Sequence, residues 1–335
     1  MTVDAGTKEQ RDRLSGVREG TRSLVSLERL RRGGILLPFV ILFTILSLTS
    51  GPFATRVNLL NILDQQSAIL IIAAAGTLVL VAGGIDLSVG ATYSFAGVVS
   101  AHFALSTPVA VAILLGIGAG VLVGVVNGFV ATVLRINALI TTLAMAFIVG
   151  GCAALVTKGS LIVLFDRPGF GKLAQTEFLG VKTSIWIMIV AVVVIGLLLA
   201  RTTAGRYMYA AGGNAEAARL AGVRVDAVRI LAFVLSGAAA GLAGVIDASR
   251  VLSAQAGAAD TTLAFTVLAG IVVGGTSILG GDGAVWRTAV GVLFIALIGN
   301  GYVLLGLDPL YEQITMGAIL LVAVGLDVWT RQRHA

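Results

Sequence analysis

The sequence predicts an all-α, polytopic integral membrane protein, and three observations carry that class. Of 335 residues, 57% are hydrophobic before 43 glycines are added. Charged residues make up only 12%, about half the ~25% of a soluble domain. Mean hydropathy is +1.00. A water-soluble fold of this length needs more polar surface than these residues can supply. The same composition excludes other classes. One cysteine, Cys152, and two histidines, His102 and His334, provide neither a disulfide framework nor a His/Cys metal cluster, so no metal and no cofactor is expected. The net charge of +6 is not spread as a nucleic-acid face, because eight of the 23 Lys/Arg lie within the first 32 residues.

Residues 1–33 carry those eight cations against five acids and read as a cytoplasmic tail, too long and too charged for a signal peptide. A spanning helix needs about 20 apolar residues. On that rule ten crossings are expected, at about 34–50, 61–82, 88–105, 108–134, 137–156, 184–200, 227–247, 263–279, 284–305 and 311–328. The stretch 263–279 is short and Gly-rich enough to be re-entrant, and 108–134 is long enough to require tilt. An eight-helix arrangement has the same parity. With the N-terminus inside, 17 of the 23 cations fall on the inner side and six on the outer, so both termini are expected to be cytoplasmic. The expected organisation is one transmembrane domain over 34–330, with a C-terminal tail at 331–335. Its two large loops are 157–183 outside and 201–226 inside.

Glycine organises the spans. Gly116, Gly120, Gly124 and Gly128 recur every fourth residue on one helix face, and Gly237, Gly241 and Gly244 make a second such face. In lipid, small residues at that spacing let backbones approach, so both are expected to be packing faces. Gly83 and Gly84, followed by Asp86 and Ser88, interrupt a hydrophobic hairpin. Asp86 or Ser88 either caps the following helix or lines a pathway, because a carboxylate at membrane depth is expensive. A faint echo of this break stands in the second half at Gly274, Gly275, Thr276 and Ser277. Asn127, Asn137, Asn300, Gln65 and Gln66 are expected to form interhelical hydrogen bonds, and Cys152 to be a small apolar filler.

The loop 201–226 is the most structured by its own chemistry. Gly212 and Gly213 break the chain, Asn214 is a good N-cap, and Ala215 to Ala221 favours helix. Glu216 suits the positive helix start, Arg219 is placed to pair with it, and Gly222 stops the helix at C′. A helix of two turns is unstable alone in water. It must rest on the protein's own helices or on a partner.

Taken in order, Gly84-Ile-Asp-Leu-Ser-Val-Gly90, Gly205-Arg-Tyr, Gly212-Gly-Asn-Ala-Glu-Ala-Ala-Arg-Leu-Ala-Gly222, Leu235-Ser-Gly237 and Gly274-Gly-Thr-Ser277 resemble the ribose-type permeases of bacterial ABC sugar importers, over roughly residues 35–330. The resemblance implies a multi-pass subunit of the bacterial cytoplasmic membrane that moves a small polar solute inward. Its implied partners are a second permease subunit (identical or a sister), a cytoplasmic ATP-binding cassette ATPase and an extracytoplasmic solute-binding protein. It also implies that Gly213, Asn214, Glu216, Ala217, Arg219, Leu220 and Gly222 form the helix that couples to the ATPase. Gly171-Lys172-Leu173 lacks the Ser/Thr and the first Gly of a phosphate loop, so hydrolysis is expected in another chain, not in this one. The chain departs from the family pattern at Ala264 and Thr266, where an acidic pair is usual, and at Trp286-Arg287, where a small pair is usual; both departures bear on the solute more than on the fold. The competing reading is an ATP-independent secondary transporter or facilitator. It is weakened by the lack of a clearly mid-span acid, since Asp64 and Asp247 fall near predicted helix ends. A membrane enzyme would need a nucleophile or metal constellation that the isolated His102 and Cys152 do not make.

Overall fold

The computed structural model describes residues 34–257, 261–308 and 310–332. Each of the ten apolar segments contains a helix. These are α1 (Leu36–Thr49), α2 (Arg56–Val81), α3 (Val89–Ala104), α4 (Val109–Thr132), α5 (Ala138–Thr157), α7 (Thr183–Arg201), α10 (Val225–Val251), α11 (Thr261–Val273), α12 (Val285–Leu304) and α13 (Leu310–Gln332). Among the described residues six are long and apolar enough to cross a membrane, namely α2, α4, α5, α7, α10 and α12. The segment expected at 263–279 is helical only to Val273, and α3 has 16 residues. The expected tail at 1–33 lies outside the described residues. Helix α13 runs two residues past the expected boundary at 330.

Burial is distributed inside out. The most apolar spans, α4, α5 and α7, bury only 22–28% of their most apolar 18-residue stretch, whereas the less apolar α2 buries 78% of its own. Leu114, Leu122, Phe147, Leu155 and Val190 stand exposed on the former. Side chains of that kind on an outer face are stable against lipid tails, which are as apolar as they are. The interior is built from small residues instead. Helix α10 lies centrally against α2, α3 and α4, and the predicted glycine faces meet there. A Cβ on Gly120 would stand 2.3 Å from the Gly237 carbonyl oxygen, and one on Gly124 2.4 Å from that of Phe233. The backbones therefore touch, which no larger residue permits. Around this contact Ile71, Ile72, Ala240, Ala243, Ile246 and Ile271 close the core.

Structure appears where none was assigned in the 157–183 loop. Strand β1 (Ile162–Val163) pairs antiparallel with β4 (Ser253–Ala254), and β2 (Glu177–Phe178) forms a hairpin with β3 (Val181–Lys182). Leu179 and Gly180 both have positive φ at its two-residue turn, as a type I′ turn requires. Between the ribbons, α6 (Pro168–Gln175) is pinned to α10 by Ser249, whose hydroxyl donates to the Phe170 carbonyl at 2.7 Å. Lys182 bonds the buried Asp64 of α2 at 2.7 Å. Two smaller expectations change. Cys152 is exposed rather than a filler, and Asn137 caps α5 through the Leu139 and Ile140 amides rather than bridging helices. Asn300 does bridge, bonding Asn58 at 3.0 Å.

Candidate functional site

The loop 201–226 folds into two helices, α8 (Thr203–Gly213) and α9 (Ala215–Leu220). The break expected at Gly212-Gly213 falls one residue later, because α8 remains helical through Gly213 and Asn214 turns extended at φ −153°, ψ 100°. Asn214 Oδ1 then accepts from the Glu216 and Ala217 amides at 3.1 and 2.9 Å. Gly222 adopts φ +85°, and Val223 N donates back to the Ala218 carbonyl at 2.9 Å, ending the helix as a C′ glycine does. The expected Glu216–Arg219 pair is replaced: Arg219 bonds Asp226 at 2.9 Å, since the turn at Gly222 carries the start of α10 within reach. Only Ala218 of α9 is buried; Gly213, Glu216, Ala217, Arg219 and Gly222 are exposed, and Leu220 is 88% exposed.

The opposite face of this hairpin reaches both glycine breaks. A Cβ on Gly212 would lie 1.9 Å from the Val81 carbonyl oxygen and 2.8 Å from Gly281 N. Gly281 N itself donates to that Val81 carbonyl at 3.0 Å. Arg229 of α10 donates to the Ala82 carbonyl at 3.1 Å, and the Tyr209 hydroxyl of α8 to the Gly283 carbonyl at 2.7 Å. Carbonyls left over at the end of α2 and in the loop before α12 are thus satisfied from the α8–α10 side. Burial raises the Tyr209 pKa from its ordinary value, which keeps the hydroxyl protonated and donating.

The two breaks share a backbone device. Gly83 (φ +81°) and Gly275 (φ +82°) each take the left-handed position after a helix, with Gly84 N bonded to Val79 O and Thr276 N to Ile271 O. The structural correspondence is Gly83 with Gly275, one residue off the match suggested by the two Gly-Gly pairs. At the first break Ser88 holds the N-cap position of α3 without a side-chain cap bond, so capping by Asp86 or Ser88 gives way to a polar cluster. Asp86 Oδ1 accepts from Ser88 N and Oγ at 3.0 and 2.7 Å, and Oδ2 accepts from Ser236 Oγ at 2.8 Å. Asn127 donates to Ser88 Oγ at 2.8 Å. Burial pushes the Asp86 carboxyl up from its ordinary range, against the opposing pull of the Ser88 and Ser236 hydrogen bonds. At the second break Gly274 packs on the Arg287 backbone. Thr276 and Thr77 both approach the Thr288 hydroxyl, at 3.4 and 2.8 Å. Ser277 N is bonded to the Asp282 carbonyl, and Arg287 pairs with the Asp282 carboxylate at 2.9 Å.

The sequence-predicted residues therefore form three groups around one junction, with Gly280, Gly281, Tyr209, Arg229 and Ser236 as its unpredicted members. The Gly280-Gly281 pair was visible in the sequence, but nothing local distinguished it from a turn. No cluster of three metal-ligating side chains occurs among the described residues.

A family model described as the permease component of branched-chain amino acid transport systems matches residues 58–324. The ribose import permease protein RbsC of Escherichia coli K12 is 37% identical over 298 residues, covering 87% of this chain and 92% of that protein. The L-arabinose ABC transporter permease protein AraH of Azospirillum brasilense is 38% identical over 311 residues, covering 91% and 90%. A probable ABC transporter permease protein of Escherichia coli K12, YphD, is 38% identical over 303 residues, covering 90% and 91%. No solved structure gives a significant match.

Proposed function

Because this chain belongs to the family of permease components of branched-chain amino acid transport systems, we propose that it is the membrane subunit of an ABC importer carrying a monosaccharide or similar small polar solute into the cytoplasm. The solute class rests on the ribose and arabinose permeases among its relatives. In this reading the chain crosses the bacterial cytoplasmic membrane about ten times with both termini inside. Two permease subunits pair, an extracytoplasmic binding protein delivers the solute, and a separate cytoplasmic ATPase docks on α9.

The observation that carries the proposal is the two-sidedness of the α8–α9 hairpin. Its outer face is capped at both ends yet leaves Leu220 and Glu216 uncovered, as a docking surface for another protein requires. Its inner face meets Val81, Gly83, Gly280 and Gly281 backbone to backbone. Tightly packed backbones cannot absorb displacement by side-chain rearrangement. A push on α9 therefore moves the ends of α2 and the α11–α12 loop together. ATP binding shifts the population between inward- and outward-open states because the ATPase contacts α9 differently in each.

The test is co-purification of the ATPase with E216K and L220D variants, together with ATP-dependent uptake in proteoliposomes. Both variants are expected to insert normally and to lose ATPase association at least tenfold, with loss of uptake. Undiminished association in both rejects the docking role, and uptake by this chain without any ATPase rejects the importer reading.

A further inference from the structure

Helix α7 carries one continuous exposed stripe. Trp186, Ile189, Val190, Val193, Val194 and Leu197 follow one another at steps of one, three or four residues along a single face. Apolar side chains on such an outer face are stable against lipid tails. The β2–β3 ribbon, which leads into α7, is folded against the first turn of this stripe. The Phe178 ring meets that of Trp186 edge-on, with centroids 6.1 Å apart. The Trp186 indole N–H donates to the Phe178 carbonyl at 3.2 Å. At its base the Thr183 amide and hydroxyl both donate to the Thr176 carbonyl, at 2.8 and 2.7 Å. At its tip Arg56 Nη2 donates to the Gly180 carbonyl at 3.1 Å. The ribbon is therefore a fixed extension of the stripe.

The ribbon is also two-faced. Phe178 pairs with Val181 and Glu177 with Lys182, so the apolar pair lies on one face and the charged pair on the other. On the charged face Lys182 reaches the buried Asp64 at 2.7 Å. The tip itself is unlike a turn built for water. A type I′ turn favours Asn, Asp or Gly, because both central residues need positive φ. Here Leu179 takes φ +56°, against the steric preference of its side chain. It is 76% exposed, beside Phe178 at 62%. Apolar side chains displayed in this way are favourable where the surroundings are themselves apolar. Depth agrees. Helix α7 has 19 residues, a rise of about 28 Å, against a hydrocarbon core of about 30 Å. Its first turn thus lies at the edge of the hydrocarbon, where Trp rings collect and basic side chains reach the headgroups. Arg56 stands exposed beside the tip.

We propose that the β2–β3 ribbon is a membrane-surface anchor, with Phe178 and Leu179 seated in the lipid interface beside Trp186 and Arg56 level with the lipid phosphates. The occupant of the exposed face is phospholipid, because that face continues the lipid-facing stripe of α7. That this leaflet is the outer one rests on the topology proposed above; the contact with lipid does not. The test places a nitroxide on L179C, in a C152A background, with the permease reconstituted in vesicles of phosphatidylcholine and phosphatidylglycerol. Power saturation compares its access to oxygen and to a water-soluble nickel chelate with that of V190C on the stripe and L220C on α9. The oxygen-to-nickel ratio is expected at least threefold above that of L220C and below that of V190C. A ratio equal to that of L220C puts the tip in water and overturns the anchor. Loss of access to both reagents means that protein covers the tip, and overturns it as well. Trp186 fluorescence reports with the ribbon unaltered. In a chain carrying W286F and W329F, brominated phospholipid is expected to quench it at least twofold. Absence of quenching overturns the anchor even where L179C does not assemble. Neither readout involves ATP or a solute, so failure here leaves the importer reading standing.

Discussion

At Gly83 the chain leaves α2 and holds a half-buried carboxylate, Asp86, among neutral donors from Ser88 and Ser236. At Gly275 it leaves α11 and buries a guanidinium, Arg287, whose side chain is 6% exposed while its partner Asp282 is 44% exposed. The two helix ends are the same backbone motif with opposite anchoring. The first break is held by hydrogen bonds from hydroxyls, those of Ser88 and Ser236, that are themselves buried. The second reaches toward the surface, where water can take over part of the pairing. Equal geometry therefore does not imply equal tolerance, and the junction with Gly212 joins a stiff element to a more forgiving one.

That contrast can be broken most severely at the junction itself. G212V drives side-chain atoms into the Val81 carbonyl and Gly281 amide, and is expected to cost about 3 kcal/mol or more, the upper range of overpacking. A Cβ on the neighbouring Gly213 meets nothing within 4 Å, so G213A is expected to stay within about 0.5 kcal/mol of wild type. Thermal unfolding of the two purified proteins in the same detergent checks the pair, and similar losses would refute a backbone junction at Gly212.

The next effect sharpens the difference between the breaks. D86L strands the Ser88 and Ser236 hydroxyls in a buried site and is expected to cost about 2 kcal/mol, the penalty of unsatisfied polar groups. R287M leaves its acidic partner close to water and is expected to cost less than about 1 kcal/mol. Denaturation midpoints in mixed micelles measure both, and a larger loss for R287M would reverse the assignment of stiff and forgiving ends. The smallest effect belongs to the exposed hairpin. N214A removes the cap of α9, worth about 1 kcal/mol locally. It should raise amide exchange in 215–220 without altering the global melting temperature.

Legibility followed range. The cap at Asn214 and the stop at Gly222 were readable because both act within four residues of the groups they satisfy. The packing faces of α4 and α10 were readable because a four-residue spacing in lipid has few other uses, whereas their meeting each other was decided by the fold. Local spacing favoured Glu216 as the partner of Arg219, whereas the turn at 221–224 delivered Asp226, seven positions on. The helix α8 and the ribbons of 157–183 were missed because their stability comes from packing on α7 and α10 rather than from propensity. Asp86 was recognised as notable, but its partner Ser236 lies 150 residues away.

By itself the sequence determined the membrane class, the helix-forming segments, the packing faces and the capped surface helix, all of which depend on composition and short-range periodicity. Only the tertiary structure decided that three glycine pairs from distant segments meet at Gly83, Gly212 and Gly281, and that Asp86 meets Ser236. The reason is physical. A glycine states that close approach is possible at a position, but the backbone that fills the space is chosen by the packing of the whole chain.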